Sequence, residues 1–270
     1  MNINDYYISE NEKPLDRIVE NGGFCAIFRT ICCIGDSLSS GEIQTVKEDG
    51  SCGYYDLYEY SWGQYIARMT GAKVYNFSKG GMSAKEYLDS FADSKGFWGC
   101  DKIAQAYIMA LGVNDLFGFN REVGSVNDID LDDYSKNKET FAGQYGKIAQ
   151  KVREISPDSK LFFMTMPKET SDDDMRRRKK ADHARLLNNL TRVFDNSYVI
   201  DLFEYAPVYD EKFKYNFYFN SHMNPAGYLL TAKMIASYID YIIRKNPKTF
   251  ETAALIGTGI DTGVTQGNIK

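Results

Sequence analysis

The chain has 270 residues, a formal net charge of −5, 43% hydrophobic residues and 26% charged residues. That is length enough for one domain with a sizeable core, and an ordinary globular composition. The acidic balance argues against nucleic acid as a partner. No apolar run is long enough to span a bilayer, and the polar, acidic residues 1–16 do not form a secretory leader, so no membrane association is expected. A cytoplasmic protein is the expectation, with a processed secreted form as the alternative.

Residues 14–21 read as a short helix that Asn21-Gly22-Gly23 ends. Residues 26–34 are apolar, β-branched and aromatic, and predict a first, buried strand. Cys32 and Cys33 are adjacent within it and should point to opposite faces. The five cysteines show neither zinc spacing nor a disulfide framework, so buried free thiols are expected, with no metal and no cofactor. The strand stops at Gly35-Asp36-Ser37, which presents Ser37 on a sharp turn. A serine there is a nucleophile if a base and an oxyanion site lie nearby, and otherwise a cap or turn residue.

Residues 39–53 are polar and read as a loop beside that turn. Helical spacing follows over 56–69, with Gly71 as its cap. A second strand is predicted at 73–77, then a capping box at Ser83 and Glu86 opening a helix. A third strand covers 104–111, a long loop 117–133, and a helix 135–154 that Ser156-Pro157 stops. The fourth strand is 160–166. Asp172 to Asp174 open a helix that continues to about 194. The fifth strand is 197–201, and residues 202–221 read as a second long loop. Asn224-Pro225 starts the last helix, with an apolar stripe at Tyr228, Ala232, Ile235, Ile239 and Ile242. Residues 249–270 lack periodicity and read as a surface tail.

Strands alternating with helices predict an α/β fold with a parallel sheet covered on both faces. The expected organisation is a single domain over residues 1–248, with 1–25 an N-terminal extension and 249–270 a tail. Functional residues in such sheets gather after the strands. Asn76 to Gly81 follows strand two, Gly112-Val113-Asn114-Asp115 follows strand three, and His222 stands just before the last helix, where packing gives no reason for a histidine. His183 sits among Lys179, Lys180, Asp182 and Arg185 and reads as a solvated helix face, as does the run Arg176 to Lys180.

Together, Gly35-Asp36-Ser37-Leu38-Ser39, Asn76 to Gly81, Gly112-Val113-Asn114-Asp115 and His222-Met223-Asn224-Pro225 resemble the four blocks of the SGNH (GDSL-type) hydrolases, in the family's order. The resemblance implies a flavodoxin-like three-layer α/β/α sandwich with a five-stranded parallel sheet. It also implies a serine esterase or acylhydrolase, with Ser37 as nucleophile and His222 as base. The Ser37 and Gly81 backbone N–H groups and the Asn114 side chain would form the oxyanion hole, and Asp36 and Asp115 would be structural.

One position departs from the pattern. The family's aspartate, three residues before the histidine, is Phe219 here. The expectation is a Ser37–His222 dyad in which a backbone carbonyl of the 217–221 loop accepts from the ring and Phe219 fills the acid's space. Asp210 or Glu211 folding in is one alternative, and a catalytically dead relative another. The tyrosine-rich loops, and the lack of an apolar lid, point to a short acyl ester of a small molecule or carbohydrate rather than a lipid. A non-catalytic carbohydrate-binding relative and an acyltransferase using the same pair are the competing functions.

Overall fold

The computed structural model describes residues 3–261 and 263. Its central strands are β1 (Thr30–Gly35), β4 (Lys73–Ser78), β5 (Ala106–Ala110), β6 (Lys160–Met164) and β7 (Ser197–Ile200). They form one sheet in the order β4-β1-β5-β6-β7, with every neighbouring pair parallel. Between β1 and β4 in the chain stands an antiparallel hairpin, β2 (Glu42–Val46) with β3 (Cys52–Asp56). A second, minimal hairpin pairs β8 (Tyr218–Phe219) with β9 (His222–Met223). The main helices are α1 (Ser37–Ser40), α2 (Trp62–Thr70), α3 (Phe141–Ile155), α4 (Asp174–Leu190), α5 (Glu211–Phe217) and α6 (Pro225–Lys245).

Parallel strands need crossover helices, and those helices bury both faces of the sheet. Two apolar clusters result. One holds Cys33, Trp62, Ile66, Tyr228, Ile235 and Ile239 under α2 and α6. The other holds Cys32, Tyr87, Phe141, Tyr145, Leu187 and Leu190 under α3 and α4. Adjacent cysteines thus face opposite layers, as strand pleating requires. All five cysteines are free thiols; Cys25, Cys32 and Cys33 are buried, Cys52 and Cys100 exposed. The expected stripe of α6, from Tyr228 to Ile242, is buried throughout.

The chain before β1 is tied to α6. Val19 N–H donates to Ser237 Oγ at 3.0 Å, Phe24 N–H to Asp240 Oδ1 at 2.7 Å, and Arg244 pairs with both Glu12 and Asp240. Residues 14–17 form turns and bends, with Leu15 at positive φ, rather than the start of the helix expected at 14–21, and residues 20–27 form 3₁₀ turns broken at Asn21, Gly22 and Gly23, which take positive φ. After α6, Phe250 and Ala253 are buried, with Phe250 edge-on to Phe28 and stacked on Phe162. Residues 262 and 264–270, the rest of the expected tail, lie outside the described residues. Among the described residues no helix is long and apolar enough to cross a membrane.

Candidate active site

The carboxyl end of β1 turns sharply into α1. Gly35 is required there, since a Cβ would lie 2.4 Å from the Ser39 Cβ. Asp36 caps α1 by accepting from Leu38 N–H at 3.0 Å. Ser37 opens the helix half-buried, its backbone N–H in the first turn, where no intrahelical acceptor exists. Tyr228 of α6 donates its hydroxyl to the Glu42 carbonyl at 2.6 Å and lies 3.3 Å from the Ser37 carbonyl. The last helix therefore holds the Ser37 turn from below.

Asp36 is 1% exposed, and its second carboxylate oxygen has no partner among the described residues. Burial pushes its pKa up to about 7, helped by the nearby Asp115 and Glu42 charges. The folded state thus holds this proton more tightly than the unfolded chain. The stabilisation is full below the unfolded value near 4 and is lost as pH rises through about 7. Asp36→Asn keeps the capping oxygen and removes the charge. Its stability advantage over the parent should grow from pH 4 to pH 8, up to about 4 kcal/mol; thermal melts across that range check it.

Two of the other blocks line one cavity with Ser37, and Gly81 is not among the residues that line it. Gly81 follows β4 with φ 76° and open space around its Cα. Asn114 begins a π-helical turn after β5 and donates from Nδ2 to the Met82 carbonyl at 3.0 Å, which leaves its second N–H to point elsewhere. Asp115 is buried and accepts from Ala84 N–H at 3.0 and 3.1 Å, so it joins the turn of Asn114 to the helix after Gly81. Ser37, Asn114 and His222 line one cavity of about 610 Å³. The ring of His222 is held by Ser221 and Glu42 rather than by Ser37 Oγ.

Around His222 the structure departs from the sequence expectation. Among the described residues no backbone carbonyl is its partner. Nδ1 lies 3.0 Å from Ser221 Oγ, and Nε2 lies 3.0 Å from Glu42 Oε1. Asp210 is committed to capping α5, accepting from Phe213 N–H at 2.7 Å, and Glu211 is exposed. Phe219 does not fill the acid's space; although it pairs with His222 across the β8–β9 hairpin, its side chain is 49% exposed.

Beside Ser221, the groups that face His222 come from the hairpin after the Ser37 turn. Alternate residues of a strand share a face, and cross-strand partners share it too. Glu42 pairs with Asp56 and Gln44 with Tyr54. That face brings Glu42 onto Nε2, sets the Tyr54 ring edge-on to the imidazole at 5.8 Å, and places Gln44 on Ser221. Glu42 is wedged against Gly80, where a Cβ would lie 2.0 Å from Oε2, so only glycine leaves the carboxyl its place. Burial raises the Glu42 pKa, with the Asp56 charge adding to it. Burial lowers that of His222, against the opposing pull of Asp56.

The cavity continues to a charged wall. Lys180, 3% exposed, sits between Glu169 at 2.8 Å and Asp172 at 2.7 Å, and Lys214 reaches Glu169 at 2.6 Å. Lys180 is therefore not part of a solvated helix face, nor is His183. The His183 ring is fully buried, 5.3 Å from Phe141, and burial pushes its pKa down to about 4. It packs behind Gly112, in the block after β5.

A parallel sheet in three layers, with the serine turn, the Asn114 turn and the histidine gathered at its carboxyl edge, is the architecture of an SGNH hydrolase. The chain belongs to the GDSL-like lipase/acylhydrolase family, whose sequence model matches residues 33–230, and it is a hydrolase of that class. Two solved structures share the fold. A family two carbohydrate esterase from Clostridium thermocellum, in complex with cellohexaose, is 16% identical with a TM-score of 0.57, over 86% of this chain and 66% of that one. A carbohydrate acetylesterase from Sinorhizobium meliloti is 15% identical with a TM-score of 0.54, over 79% of this chain and 99% of that one. No curated protein matches the chain.

Proposed function

We propose that the protein hydrolyses short acyl esters, acetylated carbohydrate being the favoured class, with Ser37 as nucleophile and His222 as base. The observation that carries this is the single cavity lined by Ser37, Asn114 and His222. Ser37 Oγ attacks the ester carbonyl as His222 takes its proton, and the alcohol leaves with that proton. Water, deprotonated by the same ring, then releases the acid. The oxyanion is held by the Ser37 and Gly81 N–H groups and the Asn114 amide, each such donor contributing roughly 3–4 kcal/mol. The charged wall at Lys180 and Lys214, and the exposed Tyr54 ring beside His222, suit a polar, ring-bearing alcohol better than a long acyl chain. Rates on aryl esters of increasing acyl length and on acetylated sugars test the reading. A preference for long acyl chains overturns the substrate class, and failure of Ser37 to react with a fluorophosphonate overturns the hydrolase.

The Glu42 contact sets an expected pH dependence. A hydrogen bond between Nε2 and a carboxyl oxygen requires one proton between them, and a ring holding that proton is not a base. Activity should rise with pH as the pair loses it, with an apparent pKa belonging to the pair. Glu42→Ala removes an opposite charge from the imidazolium, so the rising limb should move to lower pH. Asp56 is the other charge acting on the ring and keeps the shift partial. Profiles of kcat/KM for parent and variant decide it; an unmoved limb contradicts it.

A further inference from the structure

We propose that Gln44 and Ser221 together take over the orienting task of the absent aspartate, holding His222 as the Nδ1–H tautomer with Nε2 as its basic nitrogen. This rests on His222 being the base, but the proton placement follows from hydrogen-bond arithmetic alone.

The Ser221 backbone N–H can only donate, and its partner, 2.9 Å away, is Gln44 Oε1. A flipped amide would set an NH₂ against that N–H, donor against donor, so the atom is fixed as oxygen. Ser221 Oγ lies 2.6 Å from the same Oε1. An amide oxygen carries no hydrogen, so the Ser221 hydroxyl spends its one proton on Gln44. Ser221 Oγ also lies 3.0 Å from His222 Nδ1. With the hydroxyl proton committed, Oγ can only accept there, and Nδ1 must carry the hydrogen. The neutral ring is then unprotonated at Nε2, and the proton it shares with Glu42 Oε1, 3.0 Å away, stays on the carboxyl until the pair loses it.

Gln44 is built for this. It is 7% exposed, and its Nε2 group is anchored by the Tyr54 hydroxyl at 3.2 Å and Cys52 Sγ at 3.3 Å. A buried glutamine with both ends engaged has one stable orientation. The chain Gln44–Ser221–His222 is neutral, so it sets tautomer and ring angle as an aspartate would but adds no negative charge to stabilise the imidazolium. Both are positioning residues that act through the His222 ring.

The test reads the tautomer directly. With only two histidines in the chain, long-range proton–nitrogen correlation on ¹⁵N-labelled protein above the ring's titration resolves both imidazoles, and His222→Asn assigns them. The parent should show His222 as Nδ1–H. Ser221→Ala and Gln44→Leu should move it toward Nε2–H, and Ser221→Thr should restore the parent pattern. The same two disruptive variants should lower kcat/KM on the order of 10–100-fold, short of the roughly 10⁴-fold typical of a lost triad aspartate. Ser221→Thr, which keeps the hydroxyl, should recover most of that loss. A parent ring in the Nε2–H form, which needs no variant to observe, overturns the proposal, as does an unchanged tautomer in folded Ser221→Ala. If the tautomer is as expected while Ser37→Ala retains activity, the assignment of Ser37 as nucleophile fails and the relay stands.

Discussion

Ser37→Ala should reduce ester hydrolysis to the residual background of the cleft, a loss on the order of 10⁶-fold in kcat if the serine and histidine act as one unit. The hydroxyl is the only part of the Ser37 turn that the change removes. The helix cap stays, because Asp36 accepts from Leu38, and the carbonyl near Tyr228 is untouched. The melting temperature should therefore stay near that of the parent, so a lost rate reads as lost chemistry. Adding His222→Ala to Ser37→Ala should cost almost nothing further, since neither residue works without the other. Steady-state rates of the two single variants and the double check both statements; a Ser37→Ala enzyme within a few-fold of the parent contradicts the assignment.

Asn114→Ala should lower kcat by about 10²–10³-fold with little change in KM. An oxyanion donor binds charge that exists only in the transition state, so its loss falls on kcat. Asn114 has a second task, since its amide also holds the Met82 carbonyl at 3.0 Å, one residue from Gly81. Truncation should loosen that loop as well. Asn114→Asp keeps the size of the side chain but sets an acceptor against the Met82 carbonyl and against the oxyanion. It should be at least as slow as the alanine variant. If KM rises and kcat holds, Asn114 binds ground state and transition state alike and is no oxyanion donor.

The sheet is legible in the sequence because each of its strands is a short apolar run between helical stretches, and burial on both faces demands that pattern. The blocks after β1, β4 and β5 are legible for the same reason, as is the cap that follows His222. The hairpin at 42–56 is harder to see. Its signals are present: Glu42-Ile43-Gln44-Thr45-Val46 alternates, and Asp49-Gly50 is a hairpin turn pair. Its polar face makes it look like a loop, and that face is polar because it serves His222 rather than solvent. Gln44 and Ser221 are 177 positions apart, and no local periodicity links two such residues. Lys180 and His183 mislead for a related reason. Their sequence neighbours are charged, yet the helix turns these two inward, Lys180 onto two carboxylates and His183 behind a glycine.

The contact between Tyr228 and the Ser37 turn has a consequence for how the enzyme would fail under heat. Ser37, Glu42 and Gln44 come from the first part of the chain, while Ser221, His222 and Tyr228 come from its last part, and Tyr228 spans 191 positions to reach Ser37. The pairing of the five central strands does not run through that seam, but a working site does. Segments joined by few bonds open at lower free energy than the core to which they dock. Fraying of the stretch that carries Ser221 and His222, together with the first turn of α6, would silence the protein while most of its secondary structure survives. Catalytic rate should then vanish at a lower temperature or denaturant concentration than the far-ultraviolet dichroism of the sheet, and limited proteolysis in that interval should cut first between residues 202 and 224. Coincident loss of both signals would mean that the seam and the sheet melt as one cooperative unit.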